Sequence, residues 1–400
     1  IPSVISCTLI TFVMAKRVRQ QNSLSQPEAV EAHYGRFGRF LLSIIILASI
    51  TSFIASQLVA TINVFQTTMG MDMLTTACLV MTVVIAYSML GGYFSVVITD
   101  IAQFILFTTA ILILASFAGL YWIEHPDSLA QLNTLRAPSF WSFNQNLTHH
   151  LALTLTFLLA WIIAPEMWQR MSSTQNDTQA FKAAGFSTLI ITCLFSCVAL
   201  IGMTSPLLIG QTETVTLDLA QNLPYGFLQG LVLTGIAAAV TSSLDSGVNV
   251  GSLTLTRDLY QGFFNPQAST TRLLWVSRVS TILVTIPAII IALNFRDIIQ
   301  VLWIAADIYA STMFFPIMGI LYLKKPGYLS GILSMAFGGA MVLFNASNQY
   351  HWVNYPFEWL EWPYSTLAGV AISGIGFGIG YYLSHKQETG KHGSDQSETV

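Results

Sequence analysis

Charge is what this sequence has least of. Asp, Glu, Lys and Arg make up 9% of its 400 residues, while 54% are hydrophobic; an ordinary soluble domain carries roughly a quarter charged residues. So little charge cannot build a water-facing surface, which excludes a soluble globular protein. No GxxxxGK[ST] phosphate loop occurs, which argues against an ATP-driven pump. All 7 His residues lie in loops or the tail, and no nucleophile–base pair stands out, which argues against an enzyme. The 4 Cys, at positions 7, 78, 193 and 197, fall inside apolar segments. They read as packing residues, with no disulfide or metal site expected. No basic patch points to nucleic acid, and nothing marks an obligate protein partner or a cofactor.

What is abundant is apolar sequence in long runs. A run of about 18 residues or more crosses a hydrocarbon core of about 30 Å as a helix. Eleven such segments are expected, near 1–15, 40–64, 73–92, 96–122, 151–168, 183–209, 226–247, 274–295, 298–322, 328–346 and 364–384. If the loops alternate sides, 14 of the 16 Lys and Arg residues fall on one face, leaving Arg136 and Arg296 on the other. Basic residues stay on the cytoplasmic side, so the loops after segments one, three, five, seven and nine are expected there, as is the C-terminus. The reading is one multi-pass domain of the plasma (inner) membrane over residues 1–384. A cytoplasmic tail, 385–400, is too polar to fold. The outer loop 123–150 reads as a cap or a solvated connector and is assigned no chemistry. The chain opens on Ile1 inside an apolar run, without Met or a leader, and is expected to be N-terminally truncated.

An ionisable side chain within a spanning helix costs at least about 2.5 kcal/mol on insertion scales, so each one needs a reason. Four carboxylates do: Asp100, Glu166, Asp245 and Asp307. With no basic residue deep in their segments, they point to bound cations or protons as the missing positive charge. Asp100 and Glu166, near segment ends, can also be read as reaching interfacial water.

Segment seven is the most informative. In AAAVTSSLDSGVNVGSLTLTRDLY, Ala239, Ser242, Ser243 and Ser246 fall at i, i+3, i+4 and i+7, which places hydroxyls on one helical face. Hydroxyls, a carbonyl and a carboxylate are the oxygen ligands that hard cations take, and sodium is the natural candidate. The competing reading, hydroxyls that pack or bond a preceding carbonyl, is weakened by Asp245. Segment three ends in Gly91 and Gly92, which allow a turn before a helix carrying Asp100. Segment five ends in AWIIAPEMWQR, where Pro165 frees a backbone carbonyl, and such breaks usually line a cavity. Trp161, Glu166 and Trp168 around the break fit a solute wall, and the tryptophans fit interfacial anchoring equally well.

Together GGYFSVVITDIAQF, PEMWQRMSSTQNDTQAFKAA and AAAVTSSLDSGVNVGSLTLTRDLY, with SLSQPEAVEAHYGRF before segment two, resemble the sodium:solute symporter family over nearly the whole chain. The resemblance implies an all-α polytopic membrane fold of the leucine-transporter type, two inverted five-helix repeats working by alternating access, with the first core helix lying before Ile1. It implies that the Ala239 carbonyl and the Ser242 and Ser243 hydroxyls bind sodium, the only metal expected. A second cation or proton site would use Asp100, Ser242, Asp245 and Ser246. Position 245 departs from the family pattern, which has a hydroxyl there, and the second carboxylate leaves sodium or proton open. Solute contacts are expected from Trp161, Glu166, Trp168, Asp307 and Tyr309. The implied function is sodium-coupled import of a small organic solute, with proline the first guess by analogy. Proton coupling and a solute-sensing membrane module are the alternatives.

Overall fold

The computed structural model describes residues 2–135, 146–210, 212, 214–295, 297–349 and 361–395, and every regular element among them is helical. Backbone polar groups find no water in hydrocarbon, so a spanning segment must satisfy them within itself. Helix α1 spans Pro2–Gln20, α2 Gln26–Met69, α3 Met73–Glu124 and α4 Ser128–Leu135. A broken pair follows, α5 (Leu147–Trp161) and α6 (Pro165–Ser172), then α7 (Asp177–Leu208) and the short α8 (Val215–Gln221). Helix α9 (Gly226–Leu253) runs on through a π-helical segment, Thr254–Phe264. After α10 (Thr270–Asn294), a π-helical turn, Tyr309–Met313, joins α11 (Ile298–Ile308) to α12 (Phe314–Tyr322), and α13 (Tyr328–Gln349) and α14 (Tyr364–Asp395) complete the chain.

Among the described residues, eight helices are long and apolar enough to cross a bilayer, or nine if α5 and α6, bent by 46°, form one span. The eleven expected segments are recovered by dividing α3 at Gly92 and adding α1. At Gly92 (φ 55°, ψ −143°) the backbone leaves helical geometry, a conformation that glycine adopts without a Cβ penalty. Ser95 Oγ then donates to the carbonyls of Tyr87 (3.0 Å) and Gly92 (2.9 Å) across the break. The Gly-Gly turn is thus a kink that joins two helices, the expected segments three and four. Helix α14 continues to Asp395, past the boundary at 384 from which the sequence predicts no folded structure; Lys386, Gln387 and Lys391 are good helix formers that extend it. Residues 136–145 of the expected outer loop, with Arg136, lie outside the described residues, as do Arg296 and 396–400.

The core is organised around α2. Leu42, Ile46, Ile50, Ile54, Leu58 and Ile62 recur every fourth residue, each 1% exposed or less, so one helical stripe is wholly covered. It packs against α9, α10 and α11. In a membrane such contacts rest on close van der Waals packing, and small residues permit it. Cβ atoms added at Gly376 and Gly380 of α14 would meet backbone oxygens of α13 at 2.7 Å and 2.3 Å. Cys78 and Cys193, expected as packing residues, instead lie on exposed faces.

Candidate functional site

Two polar regions converge on the broken helices. The first joins α3, α6 and α9. Asp245 is 0% exposed, and its Oδ2 accepts hydrogen bonds from Tyr87 (2.6 Å) and Thr99 (3.4 Å), which flank the Gly92 kink. Among the described residues its Oδ1 has no hydrogen-bond partner, and the same holds for Asp100 Oδ1 and Gln103 Oε1. Gln103 donates instead to Thr241 Oγ1 at 3.1 Å. Ser242 Oγ donates to the Ala239 carbonyl at 2.9 Å, so two of the oxygens expected to bind sodium already share one place on α9, with half-buried Ser243 beside them.

Arg170 changes the electrostatics of this cluster. Its Nη2 donates to Asp100 Oδ2 at 2.8 Å and to Ser246 Oγ at 2.7 Å. The expectation that no basic side chain stands beside the carboxylates is therefore corrected. Arg170 reads as a loop residue in the sequence, but the new helix begun at Pro165 points it at α3 and α9. Of the four residues expected at a second cation site, Asp100 and Ser246 are bridged by Arg170, Asp245 is held by Tyr87 and Thr99, and Ser242 bonds its own helix.

The second region is a small pocket between α2, the α5–α6 break and α11, with a cavity volume of about 20 Å³, room for about one water molecule. Trp161, Glu166 and Tyr309 line it, together with Phe53, Phe157 and Leu302. The break supplies the floor: Ala164 caps α6, and the Ile163 carbonyl accepts a 2.6 Å hydrogen bond from Gln26 at the start of α2. Trp168 and Asp307 do not reach the pocket. Neither is among the residues that line it. Trp168 is buried elsewhere, 2% exposed, and Asp307 accepts a hydrogen bond from Thr366 of α14. Sequence reasoning missed Phe53, Phe157 and Leu302 because apolar residues on all-round apolar helices carry no mark of the face they line. Thr99 did carry one, since it sits in the Gly-Gly to Thr-Asp stretch, and Tyr87 lies four residues before Gly91.

On the basic-loop side, Asp258 of the Asp-Leu-Tyr sequence is 0% exposed and accepts a 2.5 Å hydrogen bond from Ser25, the cap of α2. Arg39 Nη2 stands 3.6 Å from Asp258 and donates to the Arg257 carbonyl at 2.8 Å, while its Nη1 pairs with Glu31 at 2.5 Å. This cluster ties the start of α2 to the end of α9.

With ion-type oxygens on α9 and a pocket at a helix break in view, comparison with known proteins is informative. A model of the sodium:solute symporter family matches residues 1–338. The chain belongs to that family. A sodium/proline symporter of Haemophilus influenzae is 26% identical over 386 residues, covering 92% of this chain and 76% of the relative. One from Escherichia coli is 28% identical over 299 residues, covering 68% of this chain and 57% of the relative. A high-affinity choline transporter of Drosophila melanogaster is 25% identical, covering 80% of this chain and 54% of the relative. The chain thus spans between about half and three quarters of the length of these relatives. The solved substrate-bound outward-open state of a Na+-coupled sialic acid symporter matches 95% of this chain and 83% of that chain, with a TM-score of 0.72 at 16% identity. The symporter fold of the leucine-transporter type is therefore that of this chain, and its relatives are transporters, not enzymes.

Proposed function

We propose that this chain is the membrane domain of a sodium-coupled secondary active symporter that imports a small organic solute by alternating access. The observation that carries the reading is the α9 cluster: Ser242 Oγ and the Ala239 carbonyl lie together, and Asp245, a buried carboxylate whose Oδ1 has no partner among the described residues, follows one turn after Ser242. Sodium is the ion that these oxygens suit, and Ala239, Ser242 and Ser243 are assigned as its ligands. The second cation site is assigned to Asp100, Ser242, Asp245 and Ser246, and an ion there competes with Arg170 for Asp100 and Ser246. Sodium that binds one conformation better than the other shifts the population toward it, and that difference is the coupling. One sodium ion moving inward across 100 mV gains about 2.3 kcal/mol, enough to concentrate a neutral solute about fiftyfold.

The solute pocket is that of Trp161, Glu166 and Tyr309. Proline is the first solute to try, because three bacterial relatives of high coverage are proline carriers by name. The protein is assigned to the plasma (inner) membrane with its C-terminus on the basic-loop, cytoplasmic side. A second reading, proton coupling, is favoured by one observation, the buried Asp245 without a basic partner on its own oxygens. Uptake by the full-length protein in proteoliposomes, with sodium and proton gradients imposed separately, tests the two. Uptake driven by sodium alone supports sodium symport, and uptake driven only by protons overturns it.

A further inference from the structure

Among the described residues, Glu166 is the one charged residue lining the solute pocket, and its Oε2 is buried with no hydrogen-bond donor. Burial without a donor disfavours the anion and a place at the first turn of a helix favours it through the helix dipole, so a counter-charge in the pocket is what would hold Glu166 ionised. The obvious internal partner is Arg170, four residues on and therefore on the same face of α6. Arg170 is turned away, bonded to Asp100 and Ser246. Among the described residues, no Lys, Arg or His lines the pocket. The remaining walls include Phe53, Phe157, Trp161 and Tyr309, whose ring faces attract cations.

We propose that Glu166 is the anchor for a positively charged nitrogen of the transported solute, so that the substrate class is an amine or ammonium compound. The inference rests on the symporter reading above and narrows it. A carboxylic acid without an amine would bring a like charge to Glu166 inside a low-dielectric pocket, and a neutral sugar would leave the buried carboxylate uncompensated. Arg170 completes the arrangement by neutralising Asp100, which leaves Glu166 free for the solute.

The test is thermal stabilisation of the purified full-length protein, with and without sodium, by L-proline, choline, glycine betaine, tetrahydro-2-furoic acid, pyruvate and glucose. Tetrahydro-2-furoic acid keeps the ring and carboxylate of proline and replaces its nitrogen by oxygen. Stabilisation is expected from one or more of the nitrogen cations and from none of the other three. Glu166→Gln is expected to weaken that binding about thirtyfold or more, the usual consequence of removing one partner of a buried charge pair. Glu166→Asp, which keeps the charge, should recover part of it. Stabilisation confined to compounds without a nitrogen cation, no stabilisation by any nitrogen cation, or a Glu166→Gln variant that binds as the parent does would overturn the proposal. Stabilisation by sodium alone is read separately. If it persists while the solute prediction fails, the symporter reading stands and the Glu166 assignment falls.

Discussion

Replacing Asp245 by Asn removes one charge and almost nothing else. The side chain is 0% exposed, and an amide oxygen can still accept from Tyr87 at the 2.6 Å position of Oδ2. The local cost is the weakening of a charge-assisted hydrogen bond to a neutral one, about 1 kcal/mol, so the fold should survive. The loss to a bound cation is larger. Two unit charges 4 Å apart at an effective dielectric of 20 attract by about 4 kcal/mol, nearly three decades in affinity. Arg170, bonded to Asp100 and Ser246 close by, already supplies positive charge to the cluster and reduces that gain. The expected outcome for Asp245→Asn is therefore a weakening of the half-saturating sodium concentration by about tenfold to a thousandfold, or, under proton coupling, loss of the proton-driven component. The assay is initial uptake by the full-length protein in proteoliposomes across sodium and pH titrations. Titration curves superimposable on those of the parent would refute a direct ionic role for Asp245.

Other expectations separate packing from solute binding. A Cβ at Gly338 of α13 would stand 1.9 Å from the Ser311 carbonyl oxygen, whereas one at the adjacent Gly339 meets nothing within 4 Å. Gly338→Ala should therefore destabilise by about 3 kcal/mol or more, since a backbone atom cannot rotate away. Gly339→Ala should be near neutral, and thermal unfolding of the two purified variants makes the comparison. Asp307 bonds Thr366 and stands outside the pocket, so Asp307→Asn should change apparent solute affinity in uptake by less than about twofold, within the range of a neutral surface contact. A tenfold loss would return Asp307 to the solute site.

The helices and their breaks were legible because the membrane writes them into composition. Apolar runs, Pro165 and Gly91–Gly92 each have one structural meaning in hydrocarbon, and the structure places a break at Pro165 and a kink at Gly92. The hydroxyl spacing on α9 was legible for the same reason, because 3.6 residues per turn fixes which side chains share a face. Direction across helices was not. Arg170 reads as a loop cation by its place after segment five, and only the position of α6 against α3 and α9 shows that it pairs with Asp100. Asp307 and Tyr309 read as neighbours in sequence, yet one faces α14 and the other the pocket. Phe53 and Leu302 belong to helices with apolar residues on every side, where periodicity gives no face. The π-helical segment Thr254–Phe264 contains no proline to announce it, while the turn Tyr309–Met313 precedes Pro316, whose missing N–H leaves the Thr312 carbonyl without its i+4 donor.

The measurement that bears most directly on the account is the sodium dependence of uptake in the full-length protein with Ser242→Ala and Ser243→Ala combined. If sodium is held by oxygens of α9, the double variant loses the response of uptake to a sodium gradient while remaining folded in the membrane. An unchanged half-saturating sodium concentration in the double variant would contradict the assigned site, and a lower maximal rate alone would not rescue it.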